Sequence, residues 1–182
     1  MMTKIYPLAL LMAMLSACAP VTKHATFTEA QIKQEALYQQ RLAIEQELEQ
    51  RQRLAHVMFK LGHAAAAECT GNKKLSGMEF GGIGLFEKAY HPAAQEIGFG
   101  SGVRVTTVAS GSPADQAGIK AGDTLAAING DRIKESRTAY RRAARDLAEA
   151  MQAGEVKLSL NRAGNGYQTT LSPIPGCPLC GA

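Results

Sequence analysis

Between Val108 and Ile133 the sequence VASGSPADQAGIKAGDTLAAINGDRI spaces its turn-forming residues so closely that the backbone has few choices. Ser112 is suited to cap a short helix whose first position is Pro113, where a missing N–H costs nothing. Gly118 ends that helix where a positive φ is needed, and Ile119 then points back into the core. Gly122-Asp123 makes a tight turn into a strand over Leu125 to Ile128. Asn129-Gly130 closes that strand, since both residues tolerate the positive φ of a hairpin turn.

The flanks supply the rest of a small domain. Val103 to Val108 alternates like a half-buried strand, Ile83 to Phe86 reads as a short apolar strand, and Val156 to Leu160 pairs with Tyr167 to Leu171 across Gly164-Asn165-Gly166. Ser136 to Met151 is helical, stopped by Gly154; with Ala143 and Leu147 toward the core, Tyr140, Ala144 and Ala148 lie on its flank. The expected class is α+β, a small β-barrel or sandwich with two helices. With 5% aromatic residues and no Trp, its core is mainly aliphatic.

Ahead of this domain runs a long helix. From Thr28, with Thr28 or Thr26 as N-cap, no proline or glycine interrupts the chain until Gly62, and Leu37, Ile44, Leu48, Ala55, Met58 and Leu61 recur at helical spacing. The clean heptads of a coiled coil are too few, so the helix reads as a polar amphipathic spacer. His56 and His63, two turns apart, are structural. The Ala-rich stretch from Ala64 to Gly77, with Gly71 and Lys73-Lys74, marks a domain boundary.

Residues 1–17 read as a secretory leader: Lys4, an apolar run from Ile5 to Leu15, then small residues, too short for a spanning helix. Leu15-Ser16-Ala17-Cys18 resembles the bacterial lipobox, which implies a lipid on Cys18; Ala19 after it favours the outer membrane, periplasmic face. Export allows Cys69, Cys177 and Cys180 to form disulfides, and three thiols cannot all pair within one chain. Cys177 and Cys180 form a lone CxxC in a proline-broken tail, weak both as a zinc site and as a redox motif. No metal or cofactor is expected, no Ser-His-Asp or Cys-His set stands out, and the location excludes nucleic acid. Arg132, Lys134, Arg137, Arg141, Arg142 and Arg145 cluster near the helix; this basic face reads as solvated, with an anionic headgroup or acidic partner as the alternative.

GGIGLF, Gly81 to Phe86, leaves its backbone bare just where a strand begins. A nucleotide loop, a nest for a peptide carboxylate and a plain irregular turn all use such glycines, but the Lys-Ser/Thr of a P-loop is missing. Here a resemblance enters. Gly111-Ser112-Pro113-Ala114, Ala117-Gly118-Ile119, Gly122-Asp123 and Ile128-Asn129-Gly130 resemble, in order and spacing, the core of bacterial PDZ domains of the HtrA-type and tail-specific proteases. The resemblance covers roughly Met78 to Pro175. It implies a peptide groove at Gly82, Ile83, Gly84, Leu85 and Phe86, where Leu85, Phe86 and Glu87 offer main-chain bonds to an added strand, with Tyr140 and Ala144 on the opposite wall.

The order of segments is also similar to the front half of lipoproteins in which a PDZ domain precedes a zinc metallopeptidase. That similarity implies a Cys69–Cys177 disulfide, with Cys180 left over, and a possible protease partner. The peptidase's HExxH is absent from the sequence, so no enzymatic activity is expected. The resulting organisation is a leader over 1–17, a lipid-anchored tether over 18–27, a helical stalk over 28–67, a PDZ domain over 68–176 and a Cys-containing tail over 177–182. The expected function is a lipoprotein whose PDZ domain binds C-terminal or extended peptide segments of envelope proteins. The alternative is the non-catalytic PDZ portion, or regulatory partner, of a zinc metallopeptidase lipoprotein.

Overall fold

A computed structural model describes residues 27–68 and 73–177. The leader, Cys18, the tether, Cys69 and Cys180 lie outside the described residues. The chain divides into two compact units, Met1–Lys33 and Gln34–Ala182. In the first, Thr28 opens helix α1 (Glu29–Ala64) with a reciprocal pair of bonds: the Gln31 N–H donates to Thr28 Oγ1 at 3.3 Å, and the Thr28 N–H donates to Gln31 Oε1 at 2.9 Å. This capping box satisfies two end groups that the helix itself cannot.

The second unit holds the sheet. Strands β1 (Lys74–Leu75), β2 (Met78–Gly81), β3 (Val103–Val108), β4 (Thr124–Ile128), β5 (Asp131–Arg132), β6 (Val156–Arg162), β7 (Asn165–Leu171) and β8 (Ile174–Pro175) follow in chain order. The main sheet runs β2-β3-β4-β6-β7, all antiparallel, with β5 paired to β4, while β1 and β8 pair separately. Because β2 and β7 end the path, the sheet is open and not a closed barrel. Helices α2 (His91–Glu96), α3 (Pro113–Gln116) and α4 (Ala139–Gln152) connect the strands.

The turn-rich stretch folds as its residues dictate. Ser112 caps α3 by accepting from the Asp115 N–H at 3.3 Å, Pro113 is its first residue, and Gly118 has φ +75°. Asn129 and Gly130, at φ 50° and 93°, turn β4 into β5. The β6–β7 hairpin forms with Val156 opposite Leu171 and Arg162 opposite Asn165. Its turn is therefore Ala163-Gly164, both at positive φ, one residue earlier than the expected Gly164-Asn165-Gly166. The core is aliphatic: Val103, Val105, Ile119, Leu125, Ala143, Leu147, Val156, Leu158, Leu160 and Leu171 are buried together.

Two expectations are corrected. Ile83–Leu85 is a 3-10 turn and not a strand, because Leu85 and Phe86 donate back to Gly82 and Ile83 within the turn. And α1, from Gln34 on, does not stand clear of the domain as a spacer would. It belongs to the same compact unit and buries Ile44, Ala55 and Gly62. Ile44 and half-buried Leu37 and Leu48 pack against Ile83, Phe86, Ala93, Ala94, Ile97 and Phe99. Lower down, the Gln52 side chain donates to the Val108 carbonyl at 2.6 Å and accepts from its N–H at 3.0 Å, covering the end of β3. At the base, the Cys177 N–H donates to the Gly62 carbonyl at 2.8 Å, and His63 Nδ1 lies 3.1 Å from the Pro175 carbonyl oxygen. A side chain at Gly62 would stand 2.3 Å from the Cys177 carbonyl oxygen, so glycine is what lets helix and tail touch.

Candidate functional site

The glycine stretch leaves β2 at Gly81, which faces Arg104 of β3, and enters the 3-10 turn. The Ile83 N–H donates to the Gly100 carbonyl at 3.2 Å, the Leu85 N–H to Gly82 at 3.0 Å and the Phe86 N–H to Ile83 at 3.3 Å. Phe86 and Glu87 form a short extended pair before a second 3-10 turn (Lys88–Tyr90). The Phe86 carbonyl lies 3.1 Å from His91 Nε2, and the Glu87 carbonyl accepts from the Tyr90 N–H at 2.9 Å. Among the residues expected to receive a peptide, Leu85 and Phe86 thus have their N–H groups committed to the turn.

The bareness of the loop has a direct cause. A Cβ on Gly84 would lie 2.2 Å from the Arg137 carbonyl oxygen, and one on Gly82 would lie 3.3 Å from Tyr140 Cδ1. The approach to α4 packs straight onto the loop. Leu85 folds over β2, where a Cβ on Gly81 would meet its Cδ1 at 2.6 Å. The opposite wall departs from expectation: Tyr140 is a core residue, 8% exposed, its hydroxyl accepting from Arg141 Nε at 3.1 Å. Ala144 is exposed, while Ala143 and Leu147 face the core as expected. The structure therefore brings Gly82, Ile83, Gly84, Leu85 and Tyr140 together, and Ala144 is exposed on α4.

Sequence reasoning missed three participants. Ile44 of α1, 2% exposed, packs on Ile83; His91 meets the Phe86 carbonyl; and the Arg137 backbone closes the loop from the α4 side. Ile44 stood in the helical stripe, but nothing in the stripe says which surface it meets. The six basic residues near α4 are exposed, consistent with a solvated face.

On the β4, β6 and β7 side of the sheet, Asp123 is 1% exposed. Arg162 donates to it through Nε and Nη2, both at 2.7 Å, Tyr167 donates its hydroxyl at 2.6 Å, and the Lys120 N–H donates at 2.7 Å. Burial pushes this carboxyl up, but the bonds from Arg162, Tyr167 and Lys120 outweigh it and hold the carboxyl below its usual range. Burial, and then the bond to Asp123, push the Tyr167 hydroxyl up to about 12. Every polar atom named here has its partner within the domain, so this side is a structural clasp. Among the described residues no cluster of His, Cys, Asp or Glu could hold a metal ion, and no helix is long and apolar enough to cross a membrane.

A family model described as PDZ domain matches residues 104–161, the span that holds the ordered turns and the start of the terminal hairpin. Residues 104–161 are of PDZ type. PDZ domains are binding modules and do no chemistry of their own. Among solved structures, the chain is similar to the HtrA3 PDZ domain bound to the phage-derived ligand FGRWV, at 19% identity over 57% of this chain and 88% of that one, with a TM-score of 0.43. It is similar to the HtrA-type protease AlgW with a decapeptide, at 19% identity over 56% of this chain and 29% of that one, with a TM-score of 0.43. A serine endoprotease from Yersinia pestis shows 23% identity over 41% of this chain and 26% of that one, with a TM-score of 0.33. The chain thus spans under a third of the two protease chains. No curated protein matches it.

Proposed function

We propose that this PDZ domain binds the C-terminal or extended peptide segments of envelope proteins, and that the chain is a lipoprotein carried on Cys18 at the periplasmic face of the outer membrane. The observation that carries the reading is the glycine loop Gly82–Leu85, set between the end of β2 and the entry to α4 in a domain of PDZ type. A terminal carboxylate is recognised by converging backbone N–H groups, and a peptide adds as a strand beside the segment that follows. The HtrA3 domain's ligand, FGRWV, is the natural first probe.

The test is calorimetric titration of the leader-free chain, α1 included, with FGRWV as free acid and as C-terminal amide. Heat seen with the acid and lost with the amide is the expected result. No heat with either form, in this chain and in its Ile44→Ala variant, removes the peptide reading and leaves a structural module. The anchor is tested separately: Cys18→Ser is expected to move the protein out of the membrane fraction. The Cys69–Cys177 disulfide is supported by the placement of Cys177, buried with its Sγ 3.3 Å from the Ala65 carbonyl oxygen, four residues before Cys69 in the chain. Peptide mapping without reductant is expected to recover those two segments as one linked species.

A further inference from the structure

We propose that helix α1 is a latch on the glycine loop: its docking holds Ile83–Leu85 in the 3-10 turn, and the loop becomes available to a peptide only when that contact loosens. The availability to peptide rests on the binding reading above; the latch itself is a property of the free chain.

Three observations converge. The turn uses the Leu85 and Phe86 N–H groups that an added strand would need, at 3.0 and 3.3 Å from their acceptors. A 3-10 turn has poorer hydrogen-bond geometry than an α-helix, so packing from outside adds to its hold. That support comes from α1. Ile44 is 2% exposed against Ile83, with Leu48 beside it and Phe86 packed edge-on against Phe99 at 4.9 Å between centroids. The third is steric. Ala43, Ile44 and Glu47 of α1 face Leu85, Phe86, Glu87 and Tyr90 across a cleft of only about 250 Å³, below the ~300–1,000 Å³ of ordinary ligand sites. An added strand needs a line about 4.8 Å from the backbone it pairs with. The α1 residues line the Phe86-Glu87 segment, so the docked helix narrows the space beside it.

The energetics give the latch a quantitative signature. When the open loop is the minor state, apparent affinity falls by its population, and the exchange rate of the turn's amides rises with the same population. Loosening the contact must therefore change both by one common factor. Removing the buried methyl groups of Ile44 is expected to raise that population at least tenfold.

The experiment is amide exchange by NMR on the leader-free full chain and its Ile44→Ala variant, alongside titration with FGRWV. Protection of Leu158 and Leu160 in the interior strand β6 reports that the fold is intact. Leu48→Ala, at a half-buried position, carries the same test should Ile44→Ala lose that protection. The expected result is roughly tenfold faster exchange at Leu85 and Phe86, unchanged protection at Leu158 and Leu160, and a matching gain in peptide affinity. Exchange at Leu85 and Phe86 that stays at the parent rate while β6 is intact overturns the latch, whatever the peptide does. Faster exchange with no peptide bound in either protein upholds the latch and removes the peptide reading.

Discussion

Two sides of the sheet, the Asp123 clasp toward β6 and β7 and the glycine loop beyond β2, are built on different principles. On the Asp123 side, a buried carboxylate collects donors from Arg162, Tyr167 and the Lys120 backbone, and the geometry is fixed by charge-assisted bonds of 2.6 to 2.7 Å. On the glycine-loop side, the backbone closes on itself in a 3-10 turn and is held by apolar packing from a helix some forty residues earlier in the chain. Directional bonds lock one conformation, because a misplaced donor leaves a buried charge unpaired. Apolar packing is less particular and yields to small changes of area. The first side is suited to hold shape, and the second to change it.

The contrast can be broken most forcefully at Asp123. Asp123→Ala removes the common acceptor of three side-chain or backbone donors and is expected to cost about 3 kcal/mol of stability, read as a lower urea midpoint with an unchanged slope. A loss below about 0.5 kcal/mol would mean that this side is held by packing as well, and the distinction would collapse. On the other side, Gly84→Ala sets a methyl against the Arg137 carbonyl oxygen, 2.2 Å away before relaxation. The expected cost is about 2 kcal/mol, with chemical-shift changes confined to the loop and the approach to α4. Gln52→Ala frees both backbone groups of Val108 from their side-chain partner. About 1 kcal/mol is expected from this loss, with faster amide exchange at Val108 as its marker.

The turns of the domain were legible in the sequence, while the clasp on Asp123 and the loop's conformation were not. Ser112, Pro113, Gly118, Asn129 and Gly130 act on their own neighbours, so their residue types alone set cap and turn. Even there the hairpin slipped by one residue, because Ala163 accepts φ 50° where glycine was expected to be needed. The glycine loop reads as strand or nest from its composition, but its shape depends on Ile44, Tyr140 and Arg137, contacts that no local pattern encodes. Tyr140 shows the limit well: helical spacing placed it on a flank, and the loop folded against it makes it core.

A pH series sharpens the comparison, since its effects belong to one side. The folded Asp123 carboxyl titrates below its usual range, so its stabilisation is complete above the unfolded value and is lost as pH falls through the folded one. The Tyr167 hydroxyl is raised to about 12, so its contribution is complete below the unfolded value and is lost as pH rises through 12. Asp123→Asn is expected to flatten the acid side of the stability profile measured by thermal unfolding, while Leu48→Ala lowers the whole profile without changing its shape. The smallest effect belongs to Ala144→Ser on the exposed face of α4, within about 0.5 kcal/mol of stability, read by thermal unfolding.

The contact of α1 with the tail bears on the order of folding. His63 and Pro175 meet across 112 residues of sequence, and closing a loop of that length costs about 4 kcal/mol of chain entropy. The hairpins and the capped turn between them close loops of only a few residues. Local pieces therefore form first, and the meeting of His63 with Pro175 comes late.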